Sequence, residues 1–172
     1  MPMMTGGRFM AETLDGYGVT HVFFVPVIIQ RALLEMEKLG IKRILTHGEK
    51  AAAYMADGYA RASHKPGICA AQNVGAANLA AGLQDPFLAG SPVLAITGRK
   101  PRISQHRNSY QEVDHLRPFS AVTKYSVPVD TAEQLPFLLR QALREATSGA
   151  PGPVHLDLEG TSGNVVMEGE AD

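Results

Sequence analysis

Glu49 is the residue whose type and place most suggest chemistry. It stands in the run His47-Gly48-Glu49-Lys50-Ala51-Ala52-Ala53, at the first turn of an otherwise apolar helix. A carboxylate there gains ~0.3–1 kcal/mol from the helix dipole, and for an anonymous glutamate that role is sufficient. A catalytic role asks for more: a partly buried carboxylate at a strand end, placed to exchange a proton with a bound ring nitrogen.

A second constellation is Gln72-Asn73-Val74-Gly75-Ala76-Ala77-Asn78, small residues joining a strand to a helix. Small side chains let a ligand approach the backbone, and amides at a helix start can donate hydrogen bonds. The same residues also suit a tight turn with close helix packing. The run has neither the G-x-G-x-x-G spacing of a dinucleotide site nor the Gly-Lys-Ser/Thr of a phosphate loop. A third stretch, Arg99-Lys100-Pro101-Arg102 followed by His106 and Arg107, could grip an anion, although such runs are more often solvated loops. The six histidines form no H-E-x-x-H and no close pair with cysteine, so no metal is expected on this chain. No G-x-S-x-G elbow supports a hydrolase. Cys69 lies in an apolar strand and reads as inert core.

The elements that must position these residues alternate. Helices are expected over residues 5–17, 28–39, 49–63, 76–88 and 131–147, with Thr5 as the first N-cap. Strands are expected over residues 21–25, 41–45, 67–71, 93–97 and 153–158. Continuous apolar strands alternating with helices predict an α/β domain, a doubly wound and mostly parallel sheet with helices on both faces. Residues 98–118 break the rhythm. The segment 161–172 is polar and Gly-rich and reads as a tail or the start of a linker, leaving residues 1–160 as the single domain. In such a sheet ligands gather at the carboxyl ends of strands, which points to Pro26-Val27, Thr46 to Glu49, Gln72 to Gly75 and Thr97 to Arg99.

Composition narrows the classes. A chain of 172 residues with 45% hydrophobic and 19% charged residues is ordinary globular usage. Sixteen Lys and Arg against 17 Asp and Glu, a net charge of -1, disfavour a nucleic-acid binder. A single cysteine cannot form an internal disulfide. No apolar run is long enough for a membrane span, and the first residues lack the pattern of a signal peptide, so a cytoplasmic protein is expected.

Several ordered motifs carry a more specific resemblance. His47-Gly48-Glu49 through Ala56-Asp57-Gly58-Tyr59-Ala60-Arg61 resembles the H-E-x-x-A-x-x-M-A-x-G-Y-A-R stretch of thiamin-diphosphate-dependent enzymes of the acetolactate synthase, pyruvate oxidase and benzoylformate decarboxylase group. Gly18 to Phe23 resembles their "G-V-x-x-V-F" strand, and Gly75-Ala76-Ala77-Asn78 the end of "G-P-G-x-x-N". Tyr110 to Asp114 resembles "F-Q-E-x-D", and Gly152 to Asp157 the closing "G-P-V-x-L-x" strand.

The resemblance implies a pyrimidine-binding, amino-terminal domain of an enzyme for decarboxylation or carboligation of 2-keto acids, a lyase or transferase. It implies that Glu49 hydrogen-bonds the aminopyrimidine nitrogen of thiamin diphosphate, driving the imino tautomer that generates the ylid. It also implies that Asn73, Val74, Gly75 and Asn78, with Pro26 and Val27, line the pyrimidine side, and that Gln111 approaches the substrate. Three positions depart from the pattern: Val27 where "G-V-P-G" ends in glycine, Asn73-Val74-Gly75 in place of "G-P-G", and Tyr110 in place of the phenylalanine.

Family enzymes hold the diphosphate and Mg2+ through a "G-D-G…N-N" motif that this sequence lacks. The resemblance therefore implies half an active site, inactive alone and completed by a diphosphate-binding domain of the same or a separate chain, in a homodimer or homotetramer. Two other readings stand beside it: a non-catalytic dimerisation or regulatory module, and a small subunit of a two-subunit 2-keto acid decarboxylase. An unrelated nucleotide-binding α/β domain is a weaker alternative without a phosphate loop.

Overall fold

Thr5 sets the start of the first helix: its hydroxyl accepts the Arg8 N–H at 3.3 Å and so satisfies one of the helix's open donors. The structure, a computed structural model, describes residues 3–171. In chain order the elements are β1 (Met4–Thr5), α1 (Gly6–Gly16), β2 (His21–Phe24), α2 (Gln30–Lys38), β3 (Lys42–Leu45), α3 (Glu49–Ser63), β4 (Gly67–Gln72) and α4 (Gly75–Ala81). They continue with α5 (Gln84–Ala89), β5 (Val93–Arg99), α6 (Leu116–Ser120), β6 (Tyr125–Val129), α7 (Leu135–Thr147), β7 (Val154–Glu159), α8 (Asn164–Glu168) and β8 (Glu170–Ala171).

Six strands form one parallel sheet in the order β3-β2-β4-β5-β7-β6. Its central strands β4 and β5 are buried along almost their whole length, which is why they read as largely continuous apolar runs. One face is covered by α1, α2, α7 and α8 around Met10, Leu14, Met36, Leu135 and Leu139. The other is covered by α3, α4 and α6 around Ala52, Ala56, Leu79 and Phe119. The expected doubly wound α/β architecture is therefore the observed one.

The alanine stripe of α3 lets that helix approach β4 closely. A Cβ on Gly67 would lie 2.1 Å from the Ala56 carbonyl oxygen, so the contact tolerates no side chain there. This close packing fixes the start of α3, and with it Glu49, relative to the end of β4.

Four local expectations change. The helix expected over 76–88 breaks at Gly82-Leu83 into α4 and α5. Pro86 explains the break, since its ring would clash with the carbonyl four residues earlier and it has no N–H to bond it. Second, α2 starts at Gln30 rather than Ile28, because Val27 (φ 71°) and Ile29 (φ 41°) are left-handed. Third, β6 falls in a stretch with no expected strand; it contains Pro128, which an edge strand tolerates.

The fourth change concerns the segment expected as a polar tail. Residues 164–168 form α8, and β8 pairs antiparallel with β1. Val166, Met167 and Ala171 are buried in the core. The periodicity of so short a helix was too brief to stand out against the surrounding glycines. Asp172, the last residue of that expected tail, lies outside the described residues.

Candidate active site

The chain leaves β2 for β3 on one side and then returns to β4 on the other side of β2. A reversal of this kind opens a crevice at the carboxyl ends of β2 and β4, where ligands of open α/β sheets bind. The crevice is bordered by Pro26 and Val27 after β2, by Glu49 after β3, and by Asn73, Val74 and Gly75 after β4. The sequence motifs thus converge on one edge of the sheet.

Glu49 is the first residue of α3 and is half-buried. Its Oε2 accepts a hydrogen bond from Asn78 Nδ2 at 3.2 Å. On its other side stands Gly75, the first residue of α4, where an added Cβ would lie 2.5 Å from Glu49 Oε1. Glu49, Gly75 and Asn78 therefore form one contact group: a carboxylate at a helix start, held by one amide and cradled by a bare backbone. The opening of α3 favours negative charge at that point, by ~0.3–1 kcal/mol.

Asn73 precedes this cradle in a left-handed conformation (φ 39°) and is buried. Its N–H donates to Gly98 O at 2.9 Å, and its own carbonyl accepts from Ala76 N at 2.9 Å, which ties the turn between β4 and α4. Its side-chain Oδ1 is buried with no hydrogen-bond partner, an acceptor left open at the site. Val74 is 46% exposed and Val27 49% exposed, so both present apolar surface at the crevice rather than filling the core. Pro26 is also exposed.

Gln111 reaches the same edge from the long loop between β5 and α6. It is half-buried, with φ 62°, and its Oε1 receives Gln72 Nε2 at 3.5 Å, a long contact. The loop is knotted by Glu112, whose carboxylate accepts the backbone N–H groups of His106 and Ser109 and the Ser109 hydroxyl. These bonds, the His106 N–H foremost, outweigh the small effect of burial and hold the Glu112 carboxyl below the usual range.

One polar cluster escaped the sequence motifs. On β7, His155, Asp157 and Glu159 alternate on one face, opposite Thr97 and Arg99 of β5 in register. Thr97 Oγ1 lies 2.7 Å from His155 Nε2 and 2.7 Å from Asp157 Oδ1, and His115 Nδ1 lies 2.9 Å from the same Oδ1. Arg99 pairs with Asp130 and, at 2.8 Å, with Glu159. The signal that could have revealed the cluster is the period-2 polar stripe of His155, Asp157 and Glu159 in an otherwise apolar strand.

Comparison with known proteins decides the family. The sequence pattern described as "Thiamine pyrophosphate enzyme, N-terminal TPP binding domain" matches residues 4–117. The chain belongs to this thiamine pyrophosphate enzyme family. Within the family it is 36% identical over 98% of its length to the "Probable acetolactate synthase large subunit" of Methanocaldococcus jannaschii, and covers 28% of that protein. It is 36% identical over 96% of its length to the "Acetolactate synthase" of Arthrospira platensis, covering 30% of it. With the "Acetolactate synthase isozyme 2 large subunit" of Escherichia coli it shares 38% identity over 90% of its length and 29% of the relative's. The chain thus spans less than a third of the length of these relatives.

The family's cofactor can be set against the residues present. An open cradle at Gly75, a half-buried carboxyl at Glu49 able to share a proton with a ring nitrogen, and the unpartnered acceptor Asn73 Oδ1 suit an aromatic ring that carries both a basic nitrogen and an amine. Among the described residues no group of three or more His, Cys, Asp or Glu is arranged to hold a metal ion. Among them, too, no helix is long and apolar enough to cross a membrane.

Proposed function

We propose that this chain supplies the half-site that binds the aminopyrimidine end of thiamin diphosphate in an acetolactate-synthase-like enzyme acting on 2-keto acids. The single observation that carries this reading is the Glu49–Gly75–Asn78 group, a poised carboxylate against a backbone surface with no side chain. Thiamin diphosphate, when bound, supplies the carbon nucleophile that decarboxylation or carboligation of a 2-keto acid requires.

The chain's own residues then divide the remaining work. Glu49 holds or gives up a proton at the pyrimidine ring nitrogen, and Asn78 fixes the orientation of its carboxylate. Gly75 permits close approach of the ring to the backbone, while Asn73 and Val74 shape the turn beneath it. Pro26 and Val27 form the facing wall. Gln111, carried by the Glu112-knotted loop, orients the substrate. A diphosphate-binding domain with Mg2+, on the same or a separate chain, completes the site in a cytoplasmic homodimer or homotetramer.

Turnover of a simple 2-keto acid such as pyruvate by the complete protein, with thiamin diphosphate and Mg2+ added, tests the reading. Saturable dependence on both additions is expected, and loss of ~100-fold or more in Glu49→Gln. A complete protein that binds no thiamin diphosphate would overturn it in favour of a non-catalytic module.

A further inference from the structure

Val27 occupies a conformation that its side chain does not favour. Its φ of 71° is left-handed, where a β-branched residue is strained, and Ile29 two residues on is left-handed as well (φ 41°). Such strain persists only where the surrounding structure over-determines it. Here the turn is pinned on both sides. Val25 N–H donates to the Ala70 carbonyl at 3.4 Å, Ile28 and Ile29 are fully buried in the core, and Ile29 N–H donates to the Ser162 carbonyl at 2.8 Å. Between these anchors Val27 is left 49% exposed. A strained residue so open to solvent gives the fold little in return, and glycine would hold the same turn without strain. The use of a valine there lies in what its side chain meets outside the fold.

Its position says what that is. β2 lies between β3 and β4 and pairs with both, and neighbouring strands are about 5 Å apart. The loop after β3 leads to Glu49, and the loop after β4 carries Val74 and leads to Gly75. Val27 follows the strand between them. Val74, 46% exposed, is a second β-branched side chain at this mouth. Such side chains are stiff about their first torsion, so neither valine can fold away as a long, flexible one would. Gly75 leaves room for a flat ring beside Glu49, whereas the two valines narrow the crevice with apolar, unyielding surface.

We propose that Val27 sets the size of the 2-keto acid that the crevice admits, favouring a short aliphatic side chain over an aryl one. This rests on the reading of the crevice as the thiamin diphosphate and 2-keto acid site.

Pyruvate and benzoylformate, which differ in methyl against phenyl, give the test. The readout is kcat/KM for CO2 release from each by the complete protein with thiamin diphosphate and Mg2+. The parent is expected to prefer pyruvate. Val27→Gly is expected to shift the ratio toward benzoylformate by about tenfold or more, the scale of bulk removed from an apolar wall. Val27→Thr, which keeps the branched shape, is expected to keep the parent ratio. Should Val27→Gly fail to fold, Val27→Ala is expected to shift the ratio in the same direction. Calorimetric titration with benzoylformate in the Glu49→Gln background, where turnover is blocked, is expected to show the same gain as tighter binding.

A purely structural role would lower kcat/KM for both acids alike. Turnover that depends on thiamin diphosphate, with an unchanged ratio in the folded glycine and alanine variants, would overturn the proposal. A parent that prefers benzoylformate, or a shift reproduced by Val27→Thr, would do the same. An effect confined to the affinity for thiamin diphosphate would also overturn it, placing Val27 against the cofactor instead. A complete protein that binds no thiamin diphosphate is a distinct result, which overturns the functional reading and this inference with it.

Discussion

Gly75 faces the carboxylate of Glu49 so closely that a Cβ on the glycine would lie 2.5 Å from Oε1 and 3.0 Å from Cδ. The two residues come from different helices, and the space between them exists only because position 75 has no side chain. Gly75→Ala therefore pushes the carboxylate away from its place beside Asn78. Because the displaced atoms end a flexible side chain and alanine favours a helix by up to ~1 kcal/mol over glycine, the fold should not suffer. Thermal denaturation is expected to show an unchanged or slightly raised midpoint. The complete enzyme is expected to lose about tenfold or more in turnover, a displaced group being costly even at small distances. Retention of full turnover would show that the cradle has no role in placing Glu49.

Val27 is a β-branched residue at φ 71°, half exposed at the rim of the crevice. The left-handed region costs an L-residue roughly 1–2 kcal/mol, and glycine escapes that cost. Val27→Gly is expected to stabilise the chain by ~1 kcal/mol, a rise of about 2–4 °C in the melting temperature for a chain of this size. A lowered melting temperature would mean that contacts of the Val27 side chain outweigh the backbone strain.

Acid should destabilise the fold through His155. Burial, against the opposing pull of Asp157, drives its pKa from 6.5 down to about 3, and its ring stacks on Phe119 at 3.6 Å. In the unfolded chain the ring takes a proton near its ordinary 6.5. Between these values the unfolded state binds more protons, so stability is lost as the pH falls. The slope from this residue approaches ~1.4 kcal/mol per pH unit. Asp157, lowered from 3.8, adds a loss of the same sign at still lower pH. Denaturant titrations between about pH 6 and pH 4 are expected to show this slope in the parent chain and a flatter one in His155→Gln. Equal slopes in both would remove His155 from the account.

Cys69 is fully buried in β4, and burial pushes its thiol well above the ordinary range. A thiol reagent at neutral pH is expected to leave it unmodified in the folded chain and to modify it rapidly in denaturant. Rapid labelling under native conditions would reveal opening of the sheet between β2 and β5.

The fold was largely legible because its strands and helices differ in period and because glycine marks their ends. Helix α3 was readable over its whole span, and Glu49 with it, since an alanine-rich stripe between Gly48 and His64 has sharp limits. What could not be read was tertiary in origin. The edge strand β6 holds a proline that local rules set against a strand, and it is a strand because β7 pairs with it. Helix α8 is one short turn whose burial comes from α1 and α2, not from its own periodicity. At the site, motif order pointed to Glu49, Gly75 and Asn78, which the fold brings into contact. The His115–Asp157 pair was hidden because 42 residues separate partners joined only by the loop's path over the sheet.

The most direct test of the central claim is hydrogen–deuterium exchange at the reactive carbon of thiamin diphosphate bound to the complete enzyme. In Glu49→Gln, with the fold verified by circular dichroism, the exchange rate is expected to fall by ~100-fold or more, the scale of a lost proton-transfer group. Exchange at the parent rate in that variant would contradict the assignment of Glu49 as the group that activates the cofactor.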